Sequence, residues 1–176
     1  MNKLKGMRCY LSGAISFSND QGWKDQLKIF LENKGVTVLD PSNKPTEIGK
    51  ETVESRNWLR KLKEEENWDE ISKEVKAVRC VDLRMVDISD FIIVNVDLEI
   101  YTIGTWEEVT LANRQKKPIL IRIRQGKGGG AWWLFGMVPH QMIFSTFDAI
   151  EDYLNKIDSG EILDPFRRWY FFNFGD

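Results

Sequence analysis

Apolar positions along this chain follow two rhythms. Short runs that are apolar almost throughout, and rich in β-branched residues, recur at Met7–Ser12, Val36–Leu39, Phe91–Val96, Pro118–Ile123 and Met142–Phe144. Such runs are expected of strands covered on both faces in a parallel sheet, where neither side meets water. Between them, apolar residues return at three- and four-residue spacing: Trp23, Leu27, Phe30 and Leu31, then Trp106, Val109 and Ala112, then Phe147, Ile150, Tyr153 and Leu154. That is the stripe of a helix lying against a sheet. Asn33-Lys34-Gly35 ends the first of these helices, Thr105 is the expected N-cap of the second, and Ser145 or Thr146 that of the third.

Residues 50–78 break this alternation. Val53, Leu59 and Leu62, then Trp68, Ile71, Val75 and Val78, predict two helices separated near Asn67, with the run KLKEEENWDE as a solvated face. A lid that brings Arg56, Trp58 or Trp68 onto a ligand is the functional alternative. A further helix is expected to begin near Asp82, just before the strand at Phe91. The order strand, helix, strand, helical insert, helix, strand, helix, strand, loop, strand, helix predicts an α/β domain. Its sheet is doubly wound, mostly parallel and five-stranded, with an insert after strand 2. One domain spans all 176 residues, since no linker divides the chain.

Composition narrows the partners. The net charge is −2, so no nucleic-acid surface is indicated, and an anionic ligand would need a local basic cluster. Two cysteines without metal-ligand spacing read as reduced thiols of a cytoplasmic protein. No apolar run reaches membrane-spanning length. The single histidine, His140, follows a proline and reads as a surface turn residue, so neither a histidine metal site nor a cofactor is predicted. Lys127 precedes Gly128-Gly129-Gly130, the reverse of the order a phosphate-cradling P-loop requires, and that stretch reads as a mobile loop. Ala131–Met137 is apolar enough to be core, or else the wall of a pocket shared with another subunit. The tail at 164–176 holds too many aromatics to stand free in water, and packing on the body or on a partner is expected.

Candidate chemistry gathers beyond two strand ends. After the first strand, Gly13 permits a turn. The loop to Asp20, with Ser16, Ser18 and Asn19, either holds a phosphate or sugar hydroxyl at a helix N-terminus or merely turns the chain. After the third strand come Asp97, the loop Leu98–Gly104 and the pair Glu107-Glu108 in the expected first turn of the next helix. That is the edge where open α/β sheets receive ligands. Taken alone, the two glutamates are equally ordinary helix-start acids.

Cys9-Tyr10-Leu11-Ser12-Gly13-Ala14, Asp82-Leu83, Ser89-Asp90, Asp97, Gly104-Thr105-Trp106-Glu107-Glu108 and Lys117-Pro118-Ile119-Leu120 stand in an order and spacing that resembles the nucleoside 2-deoxyribosyltransferase family. The wider superfamily includes the nucleoside 5′-monophosphate N-glycosidases. The likeness covers roughly residues 7–40 and 79–157. It implies a flavodoxin-like strand order 2-1-3-4-5. It also implies cleavage of an N-glycosidic bond, with Glu108 as nucleophile, Asp82 at the base and Tyr10 orienting Glu108. Ser12, Gly13, Ile15, Asp97, Gly104, Thr105, Trp106 and Trp133 are the implied substrate-binding residues, and a homo-oligomer is the implied assembly. Transferases of the family often carry a further aspartate just before the glycine; here Thr102-Ile103 precede Gly104.

That chemistry suits two carboxyl groups. One stabilises or attacks the anomeric carbon of an oxocarbenium-like transition state, and the other gives the leaving base a proton or a hydrogen bond. The deoxyribosyl group would pass to another base or to water, and the substrate would be a nucleoside or a nucleotide. Arg122, Arg124 and Lys127 could meet a 5′-phosphate, or could simply be exposed basic residues around a loop. The reading from another class is a catalytically inactive nucleotide-binding sensor of the same fold.

Overall fold

The computed structural model describes residues 2–14, 22–44, 46–162 and 167–172. Five strands, β1 (Arg8–Gly13), β2 (Thr37–Leu39), β3 (Phe91–Val96), β4 (Ile119–Ile123) and β5 (Ile143–Phe144), form one sheet in the order β2-β1-β3-β4-β5. All four pairings are parallel, with Tyr10 opposite Ile92 and Ile93 opposite Leu120 at the centre. The expected doubly wound α/β architecture is thus present, in the strand order that the resemblance implied. Phe91, Ile92, Ile93 and Val94 are wholly buried, which is why this run could be apolar on every residue.

The helices are α1 (Gly22–Asn33), α2 (Val53–Glu64), α3 (Trp68–Ile88), α4 (Ile103–Arg114), α5 (Trp132–Met137) and α6 (Phe147–Ser159). α3 packs beside α4, and α1 beside α6, where the rings of Trp23 and Phe147 stack at 5.1 Å. Thr146 caps α6 by accepting from the Ala149 N–H at 3.2 Å. Asn67 caps α3, so the break expected there is real.

Three expectations need correction. α3 does not stop near Val78. It runs unbroken to Ile88, because no glycine or proline interrupts 68–88 and Asp82, Met85 and Val86 continue its buried stripe. Asp82 therefore lies in the C-terminal half of a long helix rather than at a helix start. α4 begins at Ile103, with Thr102 as cap residue, so Thr105 is a buried residue within the helix and both glutamates lie beyond its first turn. Finally, α5 is not core. Leu134 alone of its side chains is buried, while Trp132 and Trp133 are 93% and 83% exposed.

In the described part of the aromatic tail Trp169 and Phe172 pack on the body, while Tyr170 and Phe171 remain exposed. Trp169 is fully buried against Phe91, stacks on Phe172 at 5.8 Å, and donates its indole N–H to Tyr153 Oη at 3.0 Å.

Candidate active site

Tyr10 and Ser12 are two residues apart on β1, so their side chains leave the same face of the sheet. Against that face α4 sets its buried positions Thr105, Glu108, Val109 and Ala112, a helical stripe with one carboxylate in it. Both oxygens of that carboxylate are occupied. The Tyr10 hydroxyl donates to Glu108 Oε1 at 2.8 Å, and the Ser12 hydroxyl donates to Oε2. Each carboxylate oxygen retains a further lone pair, so attack on an electrophile remains open to it.

Burial pushes the Glu108 carboxyl up to about 7, and the Asp82 charge pushes the same way. The hydrogen bonds from Ser12 and Tyr10, and the more distant Lys24 ammonium, pull it down. Glu108 lies outside the first turn of α4, so the helix N-terminus does little to keep it ionised, and desolvation dominates. Burial, together with the neighbouring Glu108 charge, raises Tyr10 well above the ordinary tyrosine value, so the phenol stays a donor.

Adjacent residues on a helix point about 100° apart, and Glu107 accordingly leaves this stripe. It meets the Arg79 guanidinium from α3, which donates from Nε at 2.8 Å and also from Nη2. This bond holds the Glu107 carboxyl below its usual range. Between the two helices lies a cavity of about 360 Å³, lined by Val75, Val78, Arg79, Asp82 and Leu83 from α3 and by Ile103, Gly104, Glu107 and Glu108 from α4. A Cβ on Gly104 would meet no atom within 4 Å, so the backbone there is open towards the cavity.

Asp82 is buried, and its carboxyl is raised on balance: burial pushes it up, and Lys44, whose Nζ lies 2.9 Å from Oδ1, pulls it only part of the way back. This is a close charge contact rather than a well-aligned hydrogen bond. Lys24, also buried, donates to Asp40 Oδ1 at 3.0 Å and to Ser42 Oγ at 2.8 Å. Neither lysine was singled out from the sequence. Each is an isolated lysine in a polar context, and nothing local distinguishes it from a solvated one.

The structure thus brings together Tyr10, Ser12, Asp82, Gly104 and Glu108. Ser12 holds the glutamate directly. Gly13 sits beside them for lack of room: a Cβ there would come within 3.0 Å of the Asn95 carbonyl oxygen and 3.3 Å of the Trp23 ring. Ile15, Ser16, Ser18 and Asn19 lie outside the described residues.

Other candidates stand apart from this cavity. Asp97 is tied to Arg124 at 2.7 Å and Gln125 at 2.6 Å, which hold its carboxyl down to about 2. Trp106 lines a neighbouring open depression with Tyr101, and Trp133 a separate one with Trp132, Gly136 and Met137. Of the basic residues considered for a phosphate, Arg122 donates to Asn95 Oδ1 at 2.9 Å and Lys127 donates to the His140 carbonyl. Arg56 pairs with Glu51 at 3.2 Å, and Trp58 and Trp68 do not line the cavity. Among the described residues there is no group of three or more His, Cys, Asp or Glu that could hold a metal ion, and no helix long and apolar enough to cross a membrane.

Comparison with known proteins places the fold. A 2-deoxyribosyltransferase from the psychrotolerant bacterium Bacillus psychrosaccharolyticus is similar in structure, with a TM-score of 0.52 at 16% identity, covering 83% of this chain and 91% of that one. A Clostridium botulinum CMP N-glycosidase gives a TM-score of 0.48 at 18% identity over 85% of this chain and 98% of its own. No protein-family model matches the chain, and no curated protein does. At these identities the likeness is one of fold.

Proposed function

We propose that the protein cleaves the N-glycosidic bond of a nucleoside or nucleotide and passes the glycosyl group to another base or to water. The observation that carries this reading is a buried glutamate with both oxygens held by hydroxyl donors, at the wall of a cavity it shares with a second buried acid. The fold shared with a deoxyribosyltransferase supports it.

In the first step a Glu108 oxygen bonds to the anomeric carbon as the carbon–nitrogen bond breaks, and the bonding pair leaves with the base. In the second, a nitrogen of an incoming base or a water oxygen attacks the same carbon and returns the carboxylate. Tyr10 and Ser12 hold the nucleophile in one orientation, so little is lost in positioning it when substrate enters. Asp82, across the cavity, faces the base. Glu108 must be ionised to attack, so the rate is expected to rise with pH through about 7, where its carboxyl titrates.

The test is a panel of ribo- and deoxyribonucleosides and their 5′-monophosphates, incubated with and without a second base and followed by chromatography. Free base without acceptor identifies hydrolysis, and exchanged nucleoside identifies transfer. No base released and no nucleoside exchanged from any member would refute the reading.

We also propose a homo-oligomer, joined through the exposed Trp132 and Trp133 of α5, which lie beside the apolar floor of Gly136 and Met137. Two neighbouring indoles at this exposure are a large apolar surface for a monomer to leave in water. Light scattering across a dilution series is expected to report a dimer or larger species. The Trp132→Ser/Trp133→Ser variant should dissociate at concentrations at least about tenfold higher. A monomeric wild-type protein with full activity would remove this element of the proposal.

A further inference from the structure

A second buried charge cluster adjoins the Glu108 site. Lys44, in the stretch between β2 and α2, has no solvent-exposed side-chain surface. Its ammonium lies 2.9 Å from Asp82 Oδ1 and 3.9 Å from Glu51 Oε2, and donates to the Gly49 carbonyl at 2.5 Å. Glu51 is shared with Arg56, at 3.2 Å. Gly49, with φ +68°, allows its own loop to approach α3 so closely that a Cβ would fall 2.7 Å from the Ala77 carbonyl oxygen.

Burying an ammonium is costly, and where a loop needs only an anchor an apolar side chain of similar length does as well or better. The charge of Lys44 therefore asks for a reason beyond anchoring. Among the described residues the only acid within 3 Å of it is Asp82, which lines the cavity. The groups that bear on Asp82 come from several elements: Lys44 and Glu51 from the β2–α2 stretch, Lys24 from α1, Glu108 from α4 and Tyr10 from β1. Glu51 and an ionised Glu108 favour the protonated acid, as does burial, whereas Lys24 and above all Lys44 favour the anion. Without Lys44, a buried acid near two other carboxyl groups would titrate still higher.

We propose that Lys44 is a positioning residue that keeps Asp82 ionised, so that Asp82 meets the leaving base as a hydrogen-bond acceptor and favours bases with an amino group beside a protonatable ring nitrogen. This rests on the glycosyl-cleavage reading above. The proton balance is simple. The ring nitrogen takes a proton from solvent, the anion of Asp82 stabilises the resulting N–H⁺, and the base departs neutral when the glycosidic pair returns to it. Asp82 gives up no proton.

The decisive measurement needs no substrate. In protein carrying carboxyl-13C aspartate, with the Asp82 signal assigned by its loss in Asp82→Asn, Asp82 is expected to be ionised at pH 7. In Lys44→Met its titration should move up by about one pH unit or more, and in Lys44→Arg it should stay near wild type. The kcat/KM preference for deoxycytidine over deoxyuridine should fall in Lys44→Met at pH 7, and the same substitution should leave that ratio unmoved in an Asp82→Asn background. An Asp82 that is protonated at pH 7 in the wild-type protein overturns the proposal, even if Lys44→Met does not fold. An unmoved Asp82 signal with a uniform loss of rate at every pH overturns it as well, leaving Lys44 an anchor. If Asp82 titrates as expected yet no nucleoside or nucleotide is cleaved, it is the glycosyl reading that fails, while the electrostatic role of Lys44 stands.

Discussion

Glu108→Gln is expected to lose base release by roughly a thousandfold or more while substrate still binds within a few-fold, because the amide keeps the shape of the side chain and lacks the nucleophilic charge. Glu107→Gln is expected to remain within about threefold of wild type. The two glutamates are neighbours in sequence, but one is buried under two hydroxyl donors and the other pairs with Arg79 at the surface. Initial rates and equilibrium binding of a slow substrate measure the difference, and the reverse pattern would mean that the wrong glutamate has been chosen. The same variant carries a stability signature of opposite sign. The Glu108 carboxyl is raised in the folded protein to about 7 from an ordinary 4.5, so between those values the folded state holds a proton that the unfolded state has released. Stability therefore falls as pH rises through that window and stays lower above it. Glu108→Gln, which never ionises, should be more stable than wild type at pH 8, by on the order of 3 kcal/mol at most, and should lose this advantage near pH 4. Denaturant melts at the two pH values test this, and equal stability at pH 8 would show that the charge is not being buried at a cost.

Asp82→Asn is expected to slow cleavage by about a hundredfold for bases with an amino group beside a protonatable ring nitrogen, and by much less for their oxo counterparts. The wild-type protein should accordingly prefer deoxycytidine to deoxyuridine and deoxyadenosine to deoxyinosine, and the variant should not. The physical reason is the charge that Lys44 places beside Asp82. An anion stabilises a protonated ring nitrogen and repels a carbonyl oxygen, whereas a neutral amide does neither strongly. Were Asp82 instead a proton donor, the loss in Asp82→Asn would grow with the difficulty of the leaving group, whatever the base carries at that edge. A leaving-group series that also varies the amino group separates the two, and a loss that tracks leaving ability alone would give Asp82 the donor's part.

The strands and the caps were legible because their causes are local. A run such as Phe91–Val94, apolar on every residue and β-branched at the last three, has no stable place except inside a sheet covered on both sides, and Asn67 or Thr146 caps a helix through a bond to an amide three residues away. Tyr10, Asp82 and Glu108 were marked by the resemblance of the motifs around them to the deoxyribosyltransferase family, and the structure brings the three together. Helix starts were less legible. Thr105 has the chemistry of a cap, yet α4 begins at Ile103, since burying Thr105, Glu108, Val109 and Ala112 on one stripe decides where the helix lies. For the 131–137 segment composition left core and subunit contact both open, because it says that a residue is costly in water, not that the fold will cover it, and the exposure of Trp132 and Trp133 removes the first.

What the chain determined by itself is therefore the set of elements and the residue types that could carry the chemistry, because periodicity and local hydrogen bonding act within a few residues. What only the tertiary structure decided is which of those residues share an environment. Ser12 comes against Glu108 across ninety-six positions of sequence, and Asp82 meets Lys44 through a loop packed on α3. The state of each carboxyl depends on the water these contacts exclude and on the charges they bring within a few ångströms, and neither quantity exists until the chain has folded.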